Sequence, residues 1–189
     1  RKPRIDDELL DRHKDGLIVL SGCLAGKIAR YIIADNKPAA IAEIDKLRFR
    51  HGENFYLELM AHNIEEEKIV REALLDVSKT HGIPTVMTGD SHFTHHGDEL
   101  AHTVALNMGT GRTITSEDKW TFNGEGYWYK KPQEMHDIAA GAGIPEESLA
   151  NTVNICKSIE DYDFKLASKT KKFVVPLFRE EDHVYTDEE

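Results

Sequence analysis

Cysteine is scarce. Cys23 and Cys156 are the whole supply in 189 residues, which gives no disulfide framework and fits a reducing, cytoplasmic setting. Long apolar runs are missing as well. No stretch approaches a membrane span and no signal peptide is visible, so no membrane partner is expected. Net positive charge is also lacking, with a formal balance of -10 at pH 7. So acidic a surface repels phosphate, and the segment by itself is expected to be a poor nonspecific binder of DNA. The small basic clusters (Arg1, Lys2 and Arg4; Lys130 and Lys131; Lys169, Lys171 and Lys172) are read as solvated surface. There is no internal repeat and no low-complexity run. Arg1 stands where an initiating Met is missing, so the chain is expected to be trimmed or cut from something longer. Hydrophobic residues at 40% and charged residues at 31% are ordinary for a globular protein with a packed core.

The first two-thirds alternates strand and helix. Leu17 to Leu20 (LIVL), between Gly16 and Ser21-Gly22, reads as a buried strand. A helix follows with Leu24, Ile28, Tyr31 and Ile32 on one face. Asn36-Lys37-Pro38 breaks it, and Pro38 suits the first turn of the next helix, which carries Ile41, Ile44 and Leu47 and ends at His51-Gly52. Phe55 to Leu59 is the second strand. Glu65 to Thr80 is a helix with three acids at its start, where the macrodipole favours them, and an apolar stripe of Ile69, Val70, Ala73, Leu74 and Val77. Gly82 stops it, and Pro84 leads into the third strand, Thr85 to Thr88. A further helix from near Gly97 is expected to bury Leu100, Ala101, Val104, Ala105 and Met108. Such repetition marks a parallel sheet with covering helices, open or closed into a barrel. It begins abruptly at a strand, as part of a larger architecture would.

After Gly109 the alternation stops. Residues 109–131 are rich in glycine and aromatics, with Tyr127 to Tyr129 read as a short strand; a loop this long points to function or to hidden structure. Pro132 and Pro145 open two more helices. In the second, Leu149, Val153 and Cys156 share a face, which makes Cys156 a core residue. From Ser168 a polar, charged tail surrounds the apolar segment Phe173 to Phe178 and reads as a linker.

Each strand is followed by a candidate metal ligand: Cys23 after the first, His62 after the second, Asp90 and His92 after the third. In parallel α/β folds the loops at the carboxyl ends of strands open on one face, so these groups can converge. On an extended segment residues two apart point the same way, which lets Asp90 and His92 serve one ion or two neighbours. Thiolate and imidazole favour zinc; a carboxylate admits manganese or magnesium. Plainer roles stand beside these. Asp90-Ser91-His92 also fits a turn, Cys23 a small buried residue, and His62 a bond to a backbone carbonyl. His95 and His96 precede a helix and suit exposure, and His102 suits a hydrogen bond behind the ligands. Nucleophilic catalysis has less support, for no Cys-His-Asn framework or nucleophile elbow is present, and Gly109-Thr110-Gly111-Arg112 lacks the spacing of a phosphate-binding loop.

A family resemblance runs through these residues in order. Leu17 to Gly26 (LIVLSGCLAG), Phe55 to Asn63 (FYLELMAHN), Thr88 to Phe93 (TGDSHF), Ala101-His102 with Gly109 to Gly111, Tyr127 to Met135 (YWYKKPQEM) and Leu149 to Ile155 (LANTVNI) together resemble segments of the alpha subunits of bacterial and phage DNA polymerase III, as does Lys2-Pro3-Arg4. The chain departs from the family at Gly89, where Asn is usual, and at Phe93, where Tyr is. The resemblance implies an α/β fold: a partial PHP-type (polymerase and histidinol phosphatase) distorted (β/α)7 barrel with a C-terminal helical and loop extension. It divides the chain into barrel units over 1–108, an extension with the aromatic loop and two helices over 109–165, and a linker toward the polymerase core over 166–189. It implies Cys23, Asp90 and His92 as ligands of a zinc or manganese centre, with His62 and His102 as lesser candidates behind the ligands or against substrate, and no catalytic residue beyond these. The family's other ligands would precede Arg1, and the polymerase aspartates with their magnesium would follow Glu189. The implied function is that of a fragment of a replicative polymerase, its centre serving 3′-to-5′ proofreading or structural support, with DNA and other replisome subunits as partners through the whole protein. The competing reading is a stand-alone metal-dependent PHP phosphoesterase. The fragment alone is expected to be inactive.

Overall fold

A short helix, α1 (Asp7–Arg12), comes first, so the pattern does not begin at a strand. With only Leu9 and Leu10 apolar, α1 has no core face of its own and buries no residue. Its start is capped by Asp6, whose carboxylate accepts from the Leu9 amide at 2.8 Å. Ion pairs from a later helix hold it: Lys46 Nζ reaches Asp7 at 2.5 Å, and Arg50 reaches Asp11 at 2.5 Å and Asp7 at 3.0 Å. These partners hold both carboxyls below the usual carboxylate range, chiefly through the hydrogen bonds of Lys46 and Arg50 to Asp7 and of Arg50 to Asp11. The computed structural model describes residues 4–160; the expected 166–189 linker, Phe173 to Phe178, and the clusters at Arg1-Lys2 and Lys169 to Lys172 lie wholly or partly outside them.

Three short strands, β1 (Val19–Leu20), β2 (Phe55–Leu59) and β3 (Thr85–Met87), form a parallel sheet in the order β1-β2-β3. Val19 lies opposite Phe55, and Leu57 opposite Thr85. Helices α2 (Lys27–Ile33) and α3 (Lys37–His51) carry the first crossover and α4 (Glu65–His81) the second. The breakers act as the sequence suggests. Asn36 caps α3 by accepting from the Ala39 amide at 3.2 Å, and Gly82 ends α4 in the left-handed region at φ 63°.

Strand β2 alternates cleanly. Phe55, Leu57 and Leu59 are buried, while Tyr56 and Glu58 point to the opposite face and are half-buried. The buried set joins Ile28, Ile44, Val70, Leu74 and Met87 under the helices. Each such side chain contributes roughly 1.5–3 kcal/mol of transfer free energy. No helix among the described residues is long and apolar enough to cross a membrane.

Among the described residues, two helices leave expected core residues exposed. On α5 (Glu99–Gly109) the expected core residues Leu100 and Met108 are exposed, as are Ala101 and Ala105, and the one buried residue is Asn107. After α6 (Pro132–Gly141), helix α7 (Glu146–Ser158) leaves Val153 and Cys156 exposed, so Cys156 is not a core residue. The face that α7 turns inward carries Leu149 against the core and, beside it, polar groups. Ser148 Oγ bonds Thr85 Oγ1 at 2.6 Å, Asn151 Nδ2 donates to the Thr85 carbonyl at 2.9 Å, and Thr152 Oγ1 donates to the Met87 carbonyl at 3.2 Å. The Thr85 and Met87 carbonyls, on an edge of β3 that no strand among the described residues pairs, are satisfied by the helix instead.

Candidate functional site

Because the strands are parallel, the loops after β1 (21–26), β2 (60–64) and β3 (88–93) leave the same end of the sheet. Cys23 sits exposed in the first, within a tight turn closed by the Gly26 amide donating to the Cys23 carbonyl at 2.8 Å. Its crevice is shared with Glu58, Met60 and Arg71. Glu58 accepts from Thr88 Oγ1 at 2.7 Å, which links the crevice to the foot of the third loop.

In that third loop Asp90 Oδ1 lies 3.2 Å from His92 Nε2. The pair meets by a different route from the extended segment that its spacing suggests. Asp90 has φ 41°, in the left-handed region, so the backbone departs from a regular strand between them. Aspartate tolerates this region better than most residues, at a cost of roughly 1 kcal/mol. Both side chains are partly exposed.

His62 is placed differently from the other candidates. It is 2% exposed, and both ring nitrogens face acceptors: Nδ1 lies 2.9 Å from Glu67 Oε1, and Nε2 lies 3.2 Å from the Gly89 carbonyl. A carbonyl cannot donate, so Nε2 carries a proton and donates it there. Its own backbone amide donates to Glu67 Oε2 at 2.7 Å. Glu67, which the sequence marks only as an acid at a helix start, is thus buried against His62.

The 109–131 loop folds over this end. Its anchor is Asn107, which exchanges two bonds with Trp120, Nδ2 to the carbonyl at 2.9 Å and Oδ1 from the amide at 2.8 Å. At Gly124, φ 78°, a Cβ would fall 2.3 Å from the His62 carbonyl, so only glycine lets the loop pass the end of β2. The Glu125 amide then donates to that carbonyl at 2.9 Å. Tyr127 to Tyr129 run beside the Asp90 loop: the His92 amide donates to the Tyr127 carbonyl at 2.7 Å, the Tyr129 amide to the Phe93 carbonyl at 2.9 Å, and Phe93 forms a bridge to Trp128. The aromatic rings stack in a column. Tyr127 lies on His62 with centroids 4.4 Å apart and planes 5° apart, Phe122 lies on Tyr127 at 4.7 Å, and His102 on Phe122 at 5.2 Å. His92 packs against Phe122 at 4.5 Å and tilts toward His102 at 5.7 Å. Burial, then the charges of Glu67 and Asp90, push the Tyr127 phenol up to about 12.

Lys130 corrects another expectation. Read as solvated surface, it is 8% exposed. Its ammonium donates to the Gly126 carbonyl, lies 3.4 Å from the Gly89 carbonyl and sits over Trp128. Burial pushes it below the usual lysine range, partly offset by Glu134 and Asp90. Of the other histidines, His95 and His96 are exposed, and His96 packs edge-on against Trp128.

The structure thus brings Asp90 and His92 together. Among the described residues no group of three or more His, Cys, Asp and Glu side chains is gathered closely enough to hold a metal ion. The pair offers one carboxylate and one imidazole, suitable donor types for zinc or manganese but short of the about four donors a closed zinc site takes.

Residues 1–62 match the model of the PHP domain. Over 168 residues, 89% of this chain, it is 33% identical to the DNA polymerase III subunit alpha of Thermus aquaticus, of which that stretch is 14%. It is 33% identical over 161 residues to the same subunit of Borreliella burgdorferi, covering 85% of this chain and 14% of that one. With the Saccharopolyspora erythraea subunit the identity is 34% over 164 residues, 86% and 14% of the two chains. The chain therefore spans about 14% of the length of these curated relatives.

Proposed function

Because this chain belongs by sequence to the DNA polymerase III alpha subunits, as a segment that includes part of a PHP domain, we propose that it contributes one rim of a PHP metal centre to a replicative DNA polymerase. The observation that carries the reading is the contact of Asp90 Oδ1 with His92 Nε2, 3.2 Å apart at the carboxyl end of a parallel sheet whose first loop bears Cys23. Cys23, Asp90 and His92 would supply the donors, with the rest coming from parts of the whole protein beyond these 189 residues. Metal ions of this kind, when bound, activate water and offset charge developing on a phosphodiester, the chemistry of 3′-to-5′ proofreading.

The fold supports a partial barrel. Helices cover one face of the sheet, and Tyr56 and Glu58 point from the opposite face, which is the inner face in a closed barrel. What this chain's own residues do is positional. The left-handed backbone at Asp90 presents the carboxylate, and the aromatic column packs against the His92 ring. In this reading the described residues up to 108 form barrel units and 109–158 an extension over the rim, while magnesium-dependent polymerisation, DNA binding and contact with other replisome subunits belong to the whole cytoplasmic enzyme. A stand-alone phosphoesterase is disfavoured, because the likeness to polymerase subunits continues well past the PHP match at residue 62.

Elemental analysis of the full-length protein tests this. Asp90→Ala is expected to lower zinc or manganese content more than His96→Ala does. Equal loss would reject the ligand choice. A full-length protein with no bound metal and no exonuclease activity would assign the domain a supporting role instead.

A further inference from the structure

One atom in the loop after β3 is reached from two separate segments. The Gly89 carbonyl oxygen lies 3.2 Å from His62 Nε2 and 3.4 Å from Lys130 Nζ. His62 follows β2, whereas Lys130 ends the aromatic loop. The peptide between Gly89 and Asp90 is a rigid plane, so pinning its oxygen constrains the Asp90 amide on the other side. Asp90 adopts φ 41°, a conformation that persists only where the surroundings hold it. The far end of this segment is fixed too, by the His92 amide on the Tyr127 carbonyl at 2.7 Å, and the Tyr127 ring is stacked on His62. Burying an ammonium and a His-Glu pair is costly, and apolar residues would pack as well. What apolar residues lack is a donor aimed at Gly89.

We infer that His62 and Lys130 are positioning residues: by pinning the Gly89 carbonyl they set the left-handed backbone at Asp90 that holds its carboxylate against His92. The link from this segment to metal binding rests on the function proposed above; the positioning itself does not.

The test uses the 189-residue chain, labelled with nitrogen-15, without metal. Lys130→Met is expected to shift the amide resonances of Asp90 to His92 and the ring resonances of His92, and to raise amide exchange there by about tenfold, while Phe55 to Leu59 keep their protection. Lys130→Arg, which restores a donor, should return most of the shift. His62→Gln, which keeps one donor, should move the same resonances less than His62→Ala. Should Lys130→Met fail to fold, Lys130→Gln carries the comparison with the same expected pattern at smaller amplitude. Folded variants with unmoved Asp90 and His92 resonances would overturn the proposal, and so would changes spread evenly over β2 and β3. Zinc and manganese content of the full-length protein is measured separately. Moved resonances with no metal in the unmutated full-length protein would keep the positioning role and sink the metal reading.

Discussion

Glu67 grips His62 at two points, through its backbone amide at 2.7 Å and through Nδ1 at 2.9 Å. Both residues are buried, so neither contact competes with water. Removing the carboxylate strands an amide and a ring nitrogen at once. Glu67→Ala is therefore expected to cost about 3 kcal/mol in urea unfolding, and Glu67→Gln, which keeps an acceptor and shape, clearly less. Equal losses below about 1 kcal/mol would mean that water replaces the carboxylate.

Asn107 does for the aromatic loop what Glu67 does for the β2 end. It is 1% exposed, and its amide pairs with both backbone groups of Trp120. Asn107→Ala should lose about 2 kcal/mol and open residues 109–131 to limited proteolysis before the rest of the chain. Cleavage appearing first elsewhere would show that the loop is held by other contacts.

The order of strands and crossovers was legible because its signals are local, although β1 is two half-buried residues with Leu17 exposed rather than a buried strand over Leu17 to Leu20. Apolar runs stand between Gly and Pro breakers, and the second crossover, α4, carries a helical stripe that buries Val70 and Leu74. Helix α1 was not legible, since what holds it arrives from Lys46 and Arg50, about forty residues away in sequence. The errors at Leu100, Met108 and Cys156 share one cause. Periodicity identifies an apolar face but not whether anything covers it. The polar part of the inward face of α7 was missed for the converse reason, since Ser148 answers the Thr85 hydroxyl, and Asn151 and Thr152 answer backbone carbonyls, rather than apolar neighbours. At the candidate site, the Asp-x-His spacing signalled that Asp90 and His92 meet, though with a left-handed backbone at Asp90 rather than an extended strand. Nothing in the Lys130-Lys131 pair tells which lysine goes inside; that depends on where Gly89 and Gly126 lie in space.

Gly124 tests how tightly the loop is laid over β2. A methyl group there meets the His62 carbonyl at 2.3 Å and Ile64 Cγ1 at 2.6 Å, and the backbone is at φ 78°. Both the clash and the conformation oppose any side chain. Gly124→Ala should cost about 2–3 kcal/mol, readable as a lowered urea midpoint with an unchanged slope. Gly97, where an added Cβ meets nothing within 4 Å, serves as the control, and Gly97→Ala should change stability little. A Gly124 variant as stable as the Gly97 variant would show that the loop does not sit against His62.

Tyr127 makes stability depend on alkaline pH. Its hydroxyl donates to the Asn123 carbonyl at 2.6 Å, and burial, with Glu67 and Asp90 nearby, pushes its pKa from 10.0 up to about 12. The unfolded chain therefore releases this proton from about pH 10, while the folded chain keeps it to about pH 12. Within that window the unfolded state binds fewer protons, so this group makes stability fall as pH rises. Lys130, held below the usual lysine range by burial, acts in the opposite direction and is common to both proteins compared. Tyr127→Phe should be less stable than the parent at pH 8 by about 1 kcal/mol, for want of the hydroxyl bond, and the gap should close as pH climbs above 10. Urea unfolding across that range measures the gap directly. A gap that stays constant would mean that the phenol ionises as readily in the fold as in the unfolded chain, and that the column formed by His62, Tyr127, Phe122 and His102 admits water.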